Sequence, residues 1–247
     1  MCGSVVIDCF PESVERYRQG YAIVAVDVIR ATTTAVTAVA LGRRCFPAPS
    51  LEAAMQLAAR LNDAVMIGEL GGKMPEGFDM NNSPAELVLR TDVFRPVILL
   101  SSTGTKLICE AEKCGFAYLA CLRNCASLAA YLVGRHPKIA VIGAGSRGEF
   151  REEDQMCCAW IAESLLKAGY GSEDHRTDEL VERWSGAPPD AFAGNRSVDY
   201  LRRSGQLKDL DFILAHINDL DDAFLVQHGE IIRVPTQKQI VSGSRSL

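Results

Sequence analysis

The sequence predicts an α/β protein: a three-layer α/β/α arrangement around a largely parallel sheet, with room for mixed strands. Three observations carry this. Short apolar runs alternate with stretches of helical length along most of the chain. Several runs are almost free of polar residues, as strands buried on both faces are. The turns that end them carry hydroxyls, glycines and charges, the groups expected where ligands gather at the carboxyl ends of strands.

In order, Ser4 to Ile7 is a short first strand, and Pro11 to Gly20 is a polar helix or loop. Ala22 to Val26 is a bare apolar strand ended by Asp27; Arg30 and three threonines follow, then a helix through Leu41 with a hydroxyl N-cap and Gly42 as its stop. Arg44 to Ala48 is a strand that Pro47 and Pro49 place at an edge or end. Ser50 caps a helix to about Leu61, and Ala64 to Ile67 is a strand with Gly68-Glu69 at its exit. A glycine-rich loop runs from Leu70 to a firm helix start, Ser83 as N-cap and Pro84 at the first helical position. Pro96 to Leu100 is a strand, Ser101 to Thr105 a hydroxyl-rich turn, and a helix follows to about Lys113. Phe116 to Ala120 is a strand with Arg123-Asn124 at its exit and a helix to Gly134. Lys138 to Ile142 is a strand, Gly143 to Gly148 a glycine-rich turn, and Glu152 to Ala168 a long amphipathic helix. Beyond Gly169 the composition is polar and helical, with Asn195 to Ser204 as one short helix and Glu230 to Val234 as a last strand at an edge.

No repeat or linker divides the 247 residues, so the chain reads as a single domain, 1–247, whose part 170–235 is mostly helical and whose tail 236–247 is loose. A net charge of −5 argues against a nucleic-acid binder. No run is long enough to cross a membrane, and the start of the chain lacks the pattern of a signal peptide. The nine cysteines form no CxxC pair and sit in apolar stretches, as reduced core residues of a cytoplasmic protein do. His136, His175, His216 and His228 are isolated, as surface or helix-end residues are.

Five strand exits carry polar groups: Asp27 with Arg30, Glu69, Ser101 to Thr105, Arg123 with Asn124, and Gly143 to Asp154. On one sheet edge they would converge on one pocket. Its hydroxyls, helix N-termini and Arg30 suit an oxyanion, and Asp27, Glu69, Glu153 and Asp154 suit a hard cation such as magnesium. Together they describe a metal-assisted phosphoryl site. The Asp27 turn alone is equally well read as a buried Asp27–Arg30 pair with threonine caps. Gly143-Ala144-Gly145-Ser146-Arg147-Gly148 matches the dinucleotide fingerprint G-x-G-x-x-G. Against that reading, Glu152-Glu153-Asp154 opens the helix where a pyrophosphate would lie, and no strand with an acidic end follows at the required spacing.

The run Asp27-Val28-Ile29-Arg30-Ala31-Thr32-Thr33-Thr34, with Gly68-Glu69, Gly77-Phe78-Asp79, Asn82-Ser83-Pro84, Ser102-Thr103-Gly104-Thr105, Asn124, Ala144-Gly145 with Gly148, and Glu153-Asp154, resembles the 2-phosphosulfolactate phosphatase (ComB-like) family. The resemblance covers about residues 4–170 and, more weakly, the rest to about Pro235. It departs from the family pattern at Asn81, Thr103 and Gly143, which would change the identity of the substrate's acid tail only if these positions touch it and would affect fold and reaction class less.

The resemblance implies an α/β fold distinct from the common phosphatase folds, a homodimer, and magnesium-dependent hydrolysis of phosphate esters of 2-hydroxy acids. The substrate in the family name is 2-phospho-3-sulfolactate, an intermediate of coenzyme M synthesis. Asp27, Glu69 and Asp154 would hold or orient Mg2+, or Mn2+ in its place. Asp27 and Arg30 would act in catalysis, Arg30 and Thr32, Thr33 and Thr34 would bind phosphate, and either Asp79 or Glu153 would handle the proton. Asn82, Ser83, Ser102, Thr103, Gly104, Thr105, Arg123 and Asn124 would contact the rest of the substrate. The loop from Gly71 to Asn82 would close over it and bring Asp79 in, unless it is a static loop. A non-catalytic binding protein for an anionic metabolite is the alternative from another class.

Overall fold

The structure, a computed structural model, describes residues 3–235; the tail expected to be loose, 236–247, lies outside the described residues. Ten strands form one sheet: β1 (Ser4–Cys9), β2 (Ala22–Val26), β3 (Cys45–Ala48), β4 (Val65–Gly68), β5 (Val97–Leu100), β6 (Ala117–Ala120), β7 (Lys138–Gly143), β8 (Gly171–Ser172), β9 (Asp222–Gln227) and β10 (Glu230–Pro235). The helices are α1 (Ala31–Ala40), α2 (Leu51–Arg60), α3 (Pro84–Leu87), α4 (Gly104–Glu112), α5 (Cys125–Leu132), α6 (Glu152–Lys167), α7 (His175–Trp184), α8 (Arg196–Arg203) and α9 (Leu207–Ala215), with a 3-10 helix over Pro11–Tyr17.

Alternation along each strand decides which core a side chain joins. In β2, Ala22, Val24 and Val26 pack with α5, α6 and α7 on one face. Ile23 and Ala25 pack with α1 and α4 on the other. A third, smaller core places α2 against the outer face of β3, β4 and β5. Helix α1 is buried over nine of its ten residues because strands of both sheet halves enclose it. Its sequence, small and apolar all round with threonines that bond back to the chain, suits that position.

The strand order is β4-β5-β3-β10-β9-β6-β2-β7-β1-β8. The strands β4, β5 and β3 are mutually parallel, as are β6, β2, β7, β1 and β8. The antiparallel hairpin β9–β10 joins the two blocks and pairs antiparallel with both, so the blocks run in opposite directions. Two expectations are corrected here. The last strand, β10, lies at the centre of the sheet, and its partner β9 was not expected at all. Nor is β3 at an edge. The Arg44 carbonyl accepts from Val97 N–H, so Pro47 faces the opposite side, where pairing with β10 stops at Cys45 and no N–H is needed.

The polar strand exits also do not share one edge of a flat sheet. Six steps separate β4 from β2, a flat distance of roughly 29 Å at ~4.8 Å per step. Strand twist of about 20–25° per step accumulates to roughly 120–150° over those six steps. Because the blocks run in opposite directions, that twist turns their carboxyl ends toward each other, and the site forms where they meet.

Candidate functional site

The meeting point is a cavity of about 500 Å³. Four of the five expected exits reach it: Asp27 and Arg30 after β2, Glu69 after β4, Ser101 to Thr103 after β5, and the segment from Gly145 to Asp154 after β7. Asn82 lines it from the loop before α3, and Arg196, Ser197, Tyr200 and Arg203 line it from α8.

Asp27 sits between the end of β2 and the start of α1, and its Oδ1 accepts the Ala31 N–H at 3.1 Å. Thr32 Oγ1 donates to the Asp27 carbonyl at 2.8 Å, Thr33 Oγ1 donates to that of Val28 at 2.7 Å, and both hydroxyls are spent on shaping this turn. Thr34 Oγ1 is buried without a partner among the described residues, but Thr34 is not on the cavity wall. Gly104, the first residue of α4, lies hard against Asp27: a Cβ there would stand 2.0 Å from Asp27 Oδ2. Asp154, in the first turn of α6, accepts the Val28 N–H at 2.8 Å. Glu153 beside it accepts from Asn195 Nδ2 at 2.6 Å. A helix N-terminus stabilises carboxylates of this kind.

Burial pushes the Asp27 carboxyl up to about 7, with the charges of Glu69 and Glu153 adding to it and the Ala31 N–H and Arg30 opposing it. Burial also raises Asp154 well above its ordinary range, helped by Glu153 and Asp27, and burial raises Glu153. Three buried carboxylates thus crowd one wall with too little positive charge beside them.

Arg30 is close but occupied. Its Nη1 donates to Asp209 Oδ2 at 2.5 Å and to Gln206, and its Nη2 donates to Asn81 Oδ1 at 3.3 Å. Asp209 is fully buried on α9 and also accepts from Ser83 Oγ at 2.5 Å. Arg30 is therefore paired, as one reading of the turn expected, but with Asp209 in place of Asp27. The Ile29–Arg30 peptide bond is cis.

Glu69 spends both carboxylate oxygens on the neighbouring turn, accepting from Ser102 N–H at 2.7 Å, Ser102 Oγ at 3.0 Å and Gly72 N–H at 2.7 Å. Asp79 does not reach the cavity wall: its carboxylate accepts the Met66 N–H at 2.7 Å, which lashes the loop to β4. Arg123 and Asn124 do not reach it either. Arg123 forks onto Asp219 at 3.0 and 2.6 Å and donates to Thr37 at 2.9 Å, on the far side of α1. Asn124 bonds Cys121 N–H and the Leu119 carbonyl. Ser83, Gly104 and Thr105 stand behind the wall as helix cap, contact surface and turn bond. Two of the three glycines of the fingerprint-like turn answer to ring packing: a Cβ at Gly143 would strike Phe150 at 2.3 Å, and one at Gly145 would strike Phe10 at 2.5 Å; Gly148 has open space around it and a φ of +75°.

Sequence reasoning did not assign Arg147, Arg151, Arg196, Tyr200 and Arg203, which line the same cavity as the carboxylates; Arg151 and Arg196 are both paired with Glu149. The spacing of 196, 200 and 203 is one helix face, and Val198 and Leu201 on the other face are buried, so that signal was present. Two buried polar atoms on the wall, Asn82 Oδ1 and Arg151 Nε, have no partner among the described residues. Buried polar atoms are rarely left so unless something else meets them.

Magnesium usually takes one or two protein carboxylates and completes its shell with water and substrate phosphate. Among the described residues no three His, Cys, Asp or Glu side chains converge on one point, so an all-protein cage is not built here. Asp27 and Asp154 do fit the smaller requirement. Each gives one oxygen to a backbone N–H, and each carries a burial penalty that a cation would relieve.

An α/β cavity lined by both buried carboxylates and guanidinium groups is of the class that can take a small anion together with a cation. The comparisons narrow the class: the chain matches the model of the 2-phosphosulpholactate phosphatase family over residues 9–227, and it belongs to that family. Proteins described as "probable 2-phosphosulfolactate phosphatase" align with it. That of Cyanothece sp. is 32% identical over 64% of this chain and 66% of its own length. That of Deinococcus radiodurans is 32% identical over 76% and 80%, and that of Clostridium perfringens strain SM101 is 27% identical over 86% and 89%. The alignments thus span just under two thirds of the first of these relatives and most of the other two. No described helix is long and apolar enough to cross a membrane.

Proposed function

We propose that this chain hydrolyses the phosphate ester of a small 2-hydroxy acid, with 2-phosphosulfolactate, the substrate in its relatives' name, as the first to test, and that it does so with magnesium. The observation that supports this most is the pairing of Asp27 and Asp154, two buried carboxylates from different strand exits, in a cavity that Arg147 and Arg203 also line.

In this reading Asp27 and Asp154 hold the ion, which when bound neutralises negative charge on the phosphate. Arg203 and Arg147 line the same cavity with no ion-pair partner among the described residues, and they draw the anionic ester in. Arg151 Nε gains from the ester the acceptor it lacks. Glu153, raised by burial and steadied by Asn195, takes a proton from the attacking water and returns it to the leaving alkoxide oxygen. Arg30, gripped by Asp209, Gln206 and Asn81, fixes the turn that presents Asp27 and lends its remaining positive field to the phosphate.

Phosphate release from 2-phosphosulfolactate, measured with magnesium, with manganese and in excess chelator after dialysis, tests the reading. Release that needs the divalent ion and falls at least a hundredfold in Asp154→Asn is expected. Full turnover in chelator would remove the metal from it. No release from any of a panel of phosphate esters, with tight anion binding retained, would favour the binding-protein alternative.

A further inference from the structure

A second cavity adjoins the main one at Thr103. Thr103 Oγ1 donates to the Gly145 carbonyl at 2.9 Å, tying the turn after β5 to the turn after β7. Behind this tie lies the second cavity, of about 320 Å³. It shares Ser102, Thr103, Ser146 and Arg147 with the first, so the two adjoin across the tie.

The second cavity has its own chemistry. Phe10 and Pro11 give it an apolar side, and Lys106, from the first turn of α4, reaches it from the other. Lys106 and Arg147 have no ion-pair or hydrogen-bond partner among the described residues, although Glu12 lines the same space. Arg147 is held in the left-handed region, φ 51°, by the reciprocal bonds between Ser146 and Glu149 at 2.9 and 3.0 Å. That turn sets its side chain on the walls of both cavities. Two cations against one carboxylate, beside an apolar surface, suit a negatively charged group carried on a short methylene chain.

We propose that this second cavity receives a remote carboxylate or sulfonate of a phosphate ester whose chain is longer than three carbons, with Lys106 and Arg147 as its counter-ions. The chain passes the Thr103–Gly145 tie, and its methylenes lie against Phe10 and Pro11. This rests on the phosphatase reading for the placement of the phosphate in the first cavity. It widens the substrate class from compact three-carbon acids to phosphate esters of 2-hydroxy diacids of about six carbons.

Two non-hydrolysable phosphonates test this by calorimetry in the presence of magnesium: the analogue of a six-carbon 2-hydroxy diacid, and the same chain ending in a methyl group. The unaltered chain should bind the diacid analogue at least tenfold more tightly. Lys106→Ala, an exchange at an exposed position outside the first cavity, should bring the ratio to within twofold without changing the affinity for the methyl-ended compound, and Lys106→Arg should retain the preference. Equal affinity for the two compounds, binding of neither, or a Lys106→Ala loss shared by both would overturn the proposal. Phosphate release from the corresponding esters is read separately. A persisting diacid preference without any release would leave the second subsite standing and remove the phosphatase reading.

Discussion

Asp8 stands on β1 and Asp27 just past the end of β2, the two strands that flank β7, and they are buried alike, at 5% and 6% exposure. Asp8 is surrounded by donors. Tyr17 OH reaches it at 2.8 Å, the Cys9 N–H at 2.7 Å, and Arg16 and Arg176 at 3.3 and 3.5 Å. Asp27 has the Ala31 N–H, and its other neighbours include Glu69 and Glu153. Burying a carboxylate is costly unless donors replace the water it loses. Asp8 has such donors and serves the architecture. Asp27 lacks them, and that deficit marks it as a place where something else must bind.

The sharpest way to break this comparison is to exchange both residues for asparagine. Asp27→Asn should lower kcat/KM by roughly 10²–10³, about 2.7–4 kcal/mol, the scale of losing a group that meets developing charge. Asp8→Asn should leave turnover within about twofold and cost about 1–3 kcal/mol in urea unfolding, because donors that lose a charged partner stay buried. Equal losses of turnover would show that depth, and not partnership, is what matters.

Arg30→Lys comes next. The ammonium keeps the charge but cannot span Asp209 and Asn81 together, so kcat/KM should fall by roughly 2–4 kcal/mol in barrier. An unchanged rate beside a lowered melting temperature would assign Arg30 to Asp209 alone and to structure only.

A third test uses pH on the metal-free protein. Asp27 rises from 3.8 to about 7 on folding, so the folded chain keeps a proton that the unfolded chain releases. The resulting penalty is absent at low pH, grows as pH rises above the unfolded value and is complete above about 7. In chelator, Asp27→Asn should therefore raise Tm at pH 8 by a few degrees and leave it unchanged near pH 3.5. A rise of the same size at both pH values would rule out Asp27 as the titrating group.

The smallest effect concerns a carboxylate of the Asp8 kind. Asp92 is held well below the ordinary carboxylate range, chiefly by Arg90 and also by Arg43 and Arg95. Its contribution is present above the unfolded value and is lost as pH falls toward the folded one. Asp92→Asn should cost about 1 kcal/mol at pH 7, and the difference from the unaltered chain should shrink in acid. A difference that is constant with pH would mean that packing, not charge, holds this corner.

Much of the site was legible because each part is set locally. A bare strand, an acid at its end and a hydroxyl-rich turn before a helix are all near neighbours in sequence, and Asp27, Glu69, Ser102, Thr103, Glu153 and Asp154 were placed on the cavity wall from that pattern alone. Arg123 had the same local pattern and points elsewhere, because its fate depends on α1 crossing in front of it and on Asp219, a residue far along the chain. The central position of β10 was illegible for a similar reason. Glu230 and Arg233 look like edge residues, yet Arg44 binds Glu230 at 2.9 and 2.7 Å and Asp222 binds Arg233 at 2.7 Å, so their charges are answered within the sheet. A strand's place in a sheet is set by which strands pair with it, and its own side chains report that only indirectly.

The hairpin β9–β10 has a consequence for how the protein is made. It is the last part of the described sheet to leave the ribosome, and it is the piece that joins the two blocks. Until Asp222 to Pro235 are available, β3 and β6 each present an unpaired edge, and the two cavity walls have no fixed relation to each other. Chains released early would carry two sticky half-sheets, prone to pair with one another. The cavity wall built by residues 27 to 154 therefore waits, through synthesis, on a strand pair that does not line it.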